Sequence, residues 1–240
     1  MNIWTFSLCR NEADIIPFFL RHYGSFVDQI NVWDDGSTDG SRELLSAHPK
    51  VKLHEWPGGN GIDEDAFLAF AYATYPQACG FADWAMWVDM DEFIYHPRIR
   101  EILEIERGQF DVLPTEGFNM MNRGLPEDDG RQIWECVRTG VPAPVYGKPV
   151  VFNPCRTIRW NRGKHDLEGE FKVHPERLLK LLHYRYLGFD YTLAKNQRNF
   201  DRVDLIGGDK GPAWSCSPEW KGQHSPEWAE SALKLAKPVI

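Results

Sequence analysis

Residues 84–93 read WAMWVDMDEF. Trp84 to Val88 are apolar without polar alternation. That is the pattern of a strand covered on both faces, and such strands belong to parallel sheets packed between helices. The run stops abruptly at Asp89, Met90, Asp91 and Glu92. Upstream, Ile3 to Leu8 reads as a short buried strand and Asn11 to Asp14 as polar capping residues. A helix follows, with Ile15, Phe18, Phe19, Tyr23 and Phe26 on one side. Gln29 to Trp33 is a second strand, halted by the turn-forming run from Asp34 to Ser41. A helix from about Arg42 to Ala47 leads to a third strand, Val51 to His54. This alternation predicts an α/β fold with a Rossmann-like, mixed and mainly parallel sheet flanked by helices.

Pro57 to Gly61 reads as a loop and Asp63 to Tyr75 as a helix carrying Phe67, Phe70 and Ala71. Past Gln109 the periodicity weakens. Phe110 to Pro114, Pro149 to Phe152 and Leu178 to Tyr186 look extended, the last leucine-rich enough to suit a helix as well. Asn122 to Gly147 is polar and rich in Gly and Pro, which predicts a long loop or an inserted hairpin. Residues 207–228 form a second irregular stretch before a short helix from Pro226 to Lys237. No internal repeat or low-complexity segment interrupts the chain, and 240 residues suffice for one sizeable domain and are short for two.

Apolar residues make up 42% and charged residues 26%, an ordinary globular balance. Ten Trp, fourteen Phe and eight Tyr favour a carbohydrate partner, because sugars pack on flat aromatic faces. The net charge of −8 argues against nucleic acid, whose backbone needs a basic face. A nucleotide needs only a local site and can be held through a metal. The cysteines Cys9, Cys79, Cys136, Cys155 and Cys216 are odd in number, form no CxxC and match no zinc spacing, so they read as reduced thiols in a cytoplasmic protein. The N-terminus meets charge at Arg10 without a signal-peptide core. No run approaches the ~20 apolar residues of a transmembrane helix, while peripheral membrane contact stays open.

Three polar clusters follow three apolar strands, and in a parallel sheet all three face one edge, where ligands bind. Asp89 and Asp91 can converge on a hard cation such as Mn²⁺ or Mg²⁺, which takes oxygen ligands and bridges to a diphosphate. Asp34, Asp35 and Ser37 stand in a turn whose carboxylates can accept hydrogen bonds from a base or ribose, with Gly36 and Gly40 allowing close backbone approach. Asn11 and Glu12 end the first strand and double as helix caps.

The stretch CRNEADIIPFFLRHYGSFVDQINVWDDGSTDGSRELL, followed by WAMWVDMDEF, resembles the opening half of glycosyltransferase family 2 and its relatives, in the branch whose DxD is followed by an acidic residue. The resemblance covers residues 1–95 well; KPVVFN, Lys164-His165, Leu182-His183-Tyr184 and Lys195 carry it more weakly farther on. It implies a GT-A fold over residues 1–240, with a nucleotide-binding half (1–95) and an acceptor-binding half (96–240). It implies that Asn11, Glu12, Asp34, Asp35 and Ser37 line the donor nucleoside pocket, that Asp89 lies near the donor ribose or the metal, and that Asp91 is the principal metal ligand. GT-A enzymes often supply a late histidine to the metal; His183 is the best match and His165 the other candidate. The implied reaction is an inverting transfer from a nucleotide-sugar, a UDP-sugar by default, to a carbohydrate or other hydroxyl acceptor.

Such a transfer needs a base for the acceptor hydroxyl. No acidic pair stands out where the family keeps one. Asp166, in KHDLEGE beside His165, is the first candidate; Glu116, in PTEGFN, and Glu168 are others. Arg162, Lys164 and Lys195 are candidates to neutralise the leaving diphosphate. Two alternatives are a nucleotidyltransferase or phosphatase, disfavoured by the late DxD and by the lack of a glycine-rich basic loop after the first strand, and a non-catalytic nucleotide-sugar or glycan-binding protein of the same fold.

Overall fold

The computed structural model describes residues 1–58, 63–206 and 225–240. The first part follows the expected alternation: β1 (Ile3–Cys9), α1 (Ile16–Gly24), β2 (Gln29–Asp34), α2 (Ser41–Ser46), β3 (Val51–Glu55), α3 (Glu64–Thr74) and β4 (Trp84–Trp87). Next come β5 (Glu92–Tyr95), α4 (Ile99–Glu106), β6 (Val112–Leu113), β7 (Thr115–Asn122), α5 (Ile133–Cys136), β8 (Thr139–Pro142) and β9 (Val151–Phe152). The chain continues through β10 (Arg159–Trp160), β11 (Leu167–Glu168), β12 (Leu179–Leu187), α6 (Phe189–Ile206), α7 (Pro226–Leu233) and β13 (Lys237–Pro238). Most of the irregular stretch expected over 207–228, part of the loop at 57–61 and Cys216 lie outside the described residues.

The first sheet has the strand order β3-β2-β1-β4-β9-β6. Its first four strands are mutually parallel, and β9 runs antiparallel to both of its neighbours. Alternate side chains of β4 explain why it is apolar throughout. Trp84 and Met86 join the core beneath α1, with Ile16, Phe19 and Tyr23. Ala85 and Trp87 join a second core beneath α3, with Phe6, Leu68 and Ala71. The sheet is therefore mixed, mainly parallel and covered by helices, as the apolar run predicted.

The second sheet, β13-β8-β7-β12-β5, grows from the turn that carries the DxD. β12 lies inside it, parallel to β7 and antiparallel to β5. The Leu-rich segment is thus a strand, its backbone paired on both sides, and not a helix. The 122–147 stretch contains the expected return: β8 pairs antiparallel with β7, and the short α5 lies between them. Among the described residues no helix is long and apolar enough to cross a membrane.

Two expectations are corrected. The 11–14 run does not cap α1, whose N-terminus carries no side-chain cap and has Pro17 as its second residue; its polar groups bond instead to the loop after β2, described below. The cysteines are not all reduced: Cys79 and Cys155, 76 residues apart, form a disulfide, while Cys9 and Cys136 are free. The cytoplasmic reading loses the support it drew from reduced thiols.

Candidate active site

Asn11 sits at φ 52°, a left-handed conformation that Asn tolerates better than most residues. It binds the loop after β2 from both sides: its N–H donates to Ser37 Oγ (2.9 Å), and its Oδ1 accepts from the Thr38 N–H (2.8 Å). The Glu12 N–H donates to Ser41 Oγ (2.9 Å) and the Ala13 N–H to Asp39 Oδ2 (3.0 Å). Asp34 is buried; its Oδ2 accepts from the Ser37 N–H (3.1 Å) and Arg42 Nη1 (2.8 Å), and its buried Oδ1 has no hydrogen-bond partner among the described residues. Arg10 Nη1 donates to the Asp35 carbonyl (2.7 Å) and lies 3.4 Å from its Oδ1.

Next to this edge opens a cavity of about 280 Å³, lined by Glu12, Asp89, Asp91 and His183 among the predicted residues. Asn11, Asp34, Asp35 and Ser37 do not line it. The second sheet forms its far wall. Residue pairing puts His183 opposite Glu92 of β5 and Asn119 of β7. His183 Nδ1 lies 3.0 Å from Asn119 Oδ1, so an Nδ1–H donated to that oxygen leaves the Nε2 lone pair facing Asp91 Oδ2 at 3.5 Å. His183 and Arg185 both reach the cavity, as two residues on one face of a strand should.

Three buried lysines complete the site, and only Lys164 and Lys195 stood out in the sequence. Lys195, from α6, places Nζ 2.9 Å from both oxygens of Glu12 and 2.9 Å from Asp91 Oδ2. Lys148 Nζ lies 2.5 Å from Glu92 Oε1 and 4.0 Å from Asp89 Oδ2. Lys164 Nζ lies 2.7 Å from Asp89 Oδ1. Desolvation pushes the Asp91 carboxyl up, but the Lys195 ammonium is the largest opposing influence and the carboxyl is held well below the usual carboxylate range. Asp89 is held down in the same way by Lys164 and Lys148. At Glu12 burial wins and the carboxyl is raised despite Lys195. Burial disfavours the charged form of Lys148 and Lys195, yet Glu92 and Asp89 around the first, and Asp91 and Glu12 around the second, push both ammonium groups upward. Lys148 precedes Pro149 in the KPVVFN motif; a lysine at a strand edge without a charged neighbour in sequence gives no warning of burial.

The predicted metal set is only partly assembled. Among the described residues no three His, Cys, Asp or Glu side chains cluster as a metal site. Asp91 and His183 meet, whereas Asp89 is drawn to Lys164 and Lys148. The pair that does meet suits a divalent cation: a carboxylate oxygen, and an imidazole nitrogen whose partner nitrogen is fixed by a side-chain oxygen. The predicted bases lie elsewhere. Asp166 is exposed, outside the cavity, with Oδ1 accepting from the Leu167 N–H (2.8 Å). Glu116 is exposed on β7, one residue out of step with the face that carries Asn119. Glu168 is exposed on β11. Arg162 lines the cavity but is paired with Asp65 (2.5 Å).

Fold and site together define an α/β protein with a polar pocket at the carboxyl edge of a mainly parallel sheet. No protein-family model matches the chain, and no curated protein matches it. Solved structures do match. Mannosyl-3-phosphoglycerate synthase from Rubrobacter xylanophilus is similar at 18% identity and a TM-score of 0.34, over 56% of this chain and 44% of that one. Glucosyl-3-phosphoglycerate synthase from Mycobacterium tuberculosis, solved with Mn²⁺, UDP and glucosyl-3-phosphoglycerate, is similar at 18% identity and a TM-score of 0.33, over 49% and 44% of the two chains. A 4-diphosphocytidyl-2C-methyl-D-erythritol synthase is similar at 13% identity and a TM-score of 0.34, over 64% of this chain and 75% of that one. This chain spans less than half the length of the two phosphoglycerate synthases.

Proposed function

We propose that the protein is a metal-dependent glycosyltransferase that moves a sugar, with inversion, from a nucleoside-diphosphate donor, by default a UDP-sugar, to a hydroxyl acceptor. The observation that carries this reading is the meeting of Asp91 Oδ2 and His183 Nε2, 3.5 Å apart, inside the cavity at the carboxyl edge of the parallel sheet. Asp91 and His183 are the residues that would hold Mn²⁺ or Mg²⁺. The cation would supply positive charge against the diphosphate as it leaves. Lys148, Lys164 and Lys195 add ammonium groups that the protein has already desolvated, so they need little reorganisation to stabilise the same charge. Trp56 and Phe67 give the cavity flat apolar faces for a base or a sugar ring.

Calorimetric titration with UDP, with and without Mn²⁺, tests the reading. The parent protein should bind UDP more tightly with Mn²⁺ present. Asp91→Asn should weaken Mn²⁺-dependent binding by more than about tenfold, or ~1.4 kcal/mol, with the circular dichroism spectrum unchanged. Equal affinity in parent and variant would remove Asp91 from the metal site.

A further inference from the structure

The carboxylates that line the cavity are already engaged. Glu12 and Asp91 share Lys195, Asp89 faces Lys164, and Glu92 faces Lys148. Asp63 caps α3 through the Ala66 N–H (2.9 Å), and Glu64 accepts from the Gly163 N–H (2.6 Å). The lysine ammonium groups stabilise the ionised forms of Asp89 and Asp91 and make them poor proton acceptors, whereas Glu12, raised by burial, has both oxygens taken up by Lys195 Nζ (2.9 Å each).

His165 lines the same cavity under different constraints. Its Nδ1 lies 2.5 Å from the Val145 carbonyl oxygen. A carbonyl only accepts, so the proton is on Nδ1 and the lone pair is on Nε2. Among the described residues Nε2 has no hydrogen-bond partner. Tyr146 stands edge-on to the ring (6.1 Å, 80°) and also packs on His183 (4.2 Å), so both histidines neighbour one aromatic ring. The backbone is shaped for this placement. Gly163 (φ 78°) and Lys164 (φ 60°) are both left-handed, and a β-carbon on Gly163 would come within 2.4 Å of His165 Nε2. Non-glycine residues hold such a conformation only where the surroundings over-determine it. Here Lys164 is turned inward onto Asp89, and the ring of the next residue lines the cavity with its Nε2–Cδ2 edge resting over Gly163, where only a hydrogen fits.

We propose that His165, through Nε2, is the general base of the transfer; this rests on the glycosyl-transfer reading above. The acceptor hydroxyl oxygen forms its bond to the anomeric carbon as the bond from that carbon to the diphosphate oxygen breaks. The electron pair of the broken bond leaves on the diphosphate. The hydroxyl proton passes to Nε2, and the imidazolium releases it to solvent at the cavity mouth. The surroundings keep the ring ready: burial, then Lys148, lower its pKa, with Lys164 adding to them, against the Val145 carbonyl and Glu92, which raise it. The net shift is downward, so the base is unprotonated at neutral pH.

The test is release of nucleoside diphosphate from a panel of UDP- and GDP-sugars with Mn²⁺, water serving as acceptor, alongside calorimetric binding of UDP and GDP. His165→Ala should lower kcat about 100-fold or more while nucleotide affinity stays at the parent value, and added imidazole should restore part of the rate. The parent rate should fall on the acidic side of neutrality, a limb that the variant lacks. A kcat near the parent value with that limb intact overturns the proposal, as does a loss of nucleotide affinity equal to the loss of rate. A parent that binds nucleotide but hydrolyses no donor also overturns it, since water reaches Nε2 wherever an alcohol can. A parent that binds neither nucleotide overturns the glycosyl-transfer reading itself.

Discussion

His22 shows how far burial alone can move a titrating group. It lies on α1, 5% exposed, with Nε2–H donating to the Ile94 carbonyl (3.0 Å). Burial pushes its pKa down from 6.5 to about 4, against a small upward pull from that carbonyl. The native ring is neutral over a range where the unfolded chain takes up a proton. Between pH 6.5 and 4 the unfolded state binds more protons, so stability falls as pH falls through this window. The shift is worth ~3 kcal/mol across the window. Urea unfolding at pH 7 and pH 4 should show that loss in the parent beyond the loss in His22→Phe, where carboxylate effects remain; equal losses would remove His22 as the cause. Asn119 is a quieter case. It is not among the residues lining the cavity at the sheet edge, yet its Oδ1 fixes the His183 tautomer. Asn119→Ala should weaken Mn²⁺ binding by about 10- to 100-fold, with Asn119→Asp, which keeps the acceptor, nearer the parent in the same calorimetric titration.

The second sheet and the segment carrying Tyr146 and Lys148 meet at a position where only a hydrogen fits. A β-carbon on Gly117 of β7 would lie 2.3 Å from the Tyr146 carbonyl carbon, 2.5 Å from the Ala143 oxygen and 2.6 Å from the Gly147 nitrogen. All three are backbone atoms and cannot swing aside. Gly117→Ala should therefore push this segment off the strand, at a cost of about 1–3 kcal/mol. Because Lys148 and Tyr146 move with it, UDP affinity should fall together with the thermal midpoint; a variant with parental stability and affinity would show that the strand can shift instead. The same elements mark the limit of what the sequence makes legible. β1 to β4 are readable because each is an apolar run bounded by turn residues and covered by a helix whose apolar positions recur every three or four residues. β7 reads TEGFNMMN, with polar residues on both faces, because one face holds Asn119 for His183 and the other is partly open. α6 carries Lys195 inward on a mostly polar helix, so amphipathicity cannot show which side is buried. The DxD and His183 are found by position and resemblance, but their lysine partners come from 57 to 104 residues downstream of the DxD and meet it only through tertiary pairing.

At the scale of the whole molecule, the wall that carries Lys164 and His165 is held against α3 by bonds distant in sequence. Tyr72 OH donates to the Trp160 carbonyl (2.6 Å) and accepts from its N–H (3.0 Å), and Tyr75 OH accepts from the Ile158 N–H (2.6 Å). Arg162 adds its pair with Asp65. The Cys79–Cys155 disulfide ties the chain just past α3 to the start of this wall, and it closes a loop of 76 residues. Nothing local announces it, since neither cysteine lies in a motif and two free cysteines remain. Closing a loop of this length removes unfolded-state entropy worth about 4 kcal/mol in the chain-entropy account. That stabilisation belongs to the unfolded chain, whereas the wall itself keeps its tyrosine hydrogen bonds and its ion pair when the sulfurs separate. Stability and binding should therefore respond differently to reduction. Dithiothreitol should lower the urea midpoint of the parent while UDP affinity, measured well below that midpoint, changes little. The double variant Cys79→Ala, Cys155→Ala should unfold near the reduced parent's midpoint and be insensitive to dithiothreitol. A parent whose midpoint ignores dithiothreitol would mean that the bond does not form in the folded protein. A UDP affinity that falls in step with the midpoint would mean that the disulfide, and not the tyrosine and arginine contacts, holds Lys164 and His165 in the cavity.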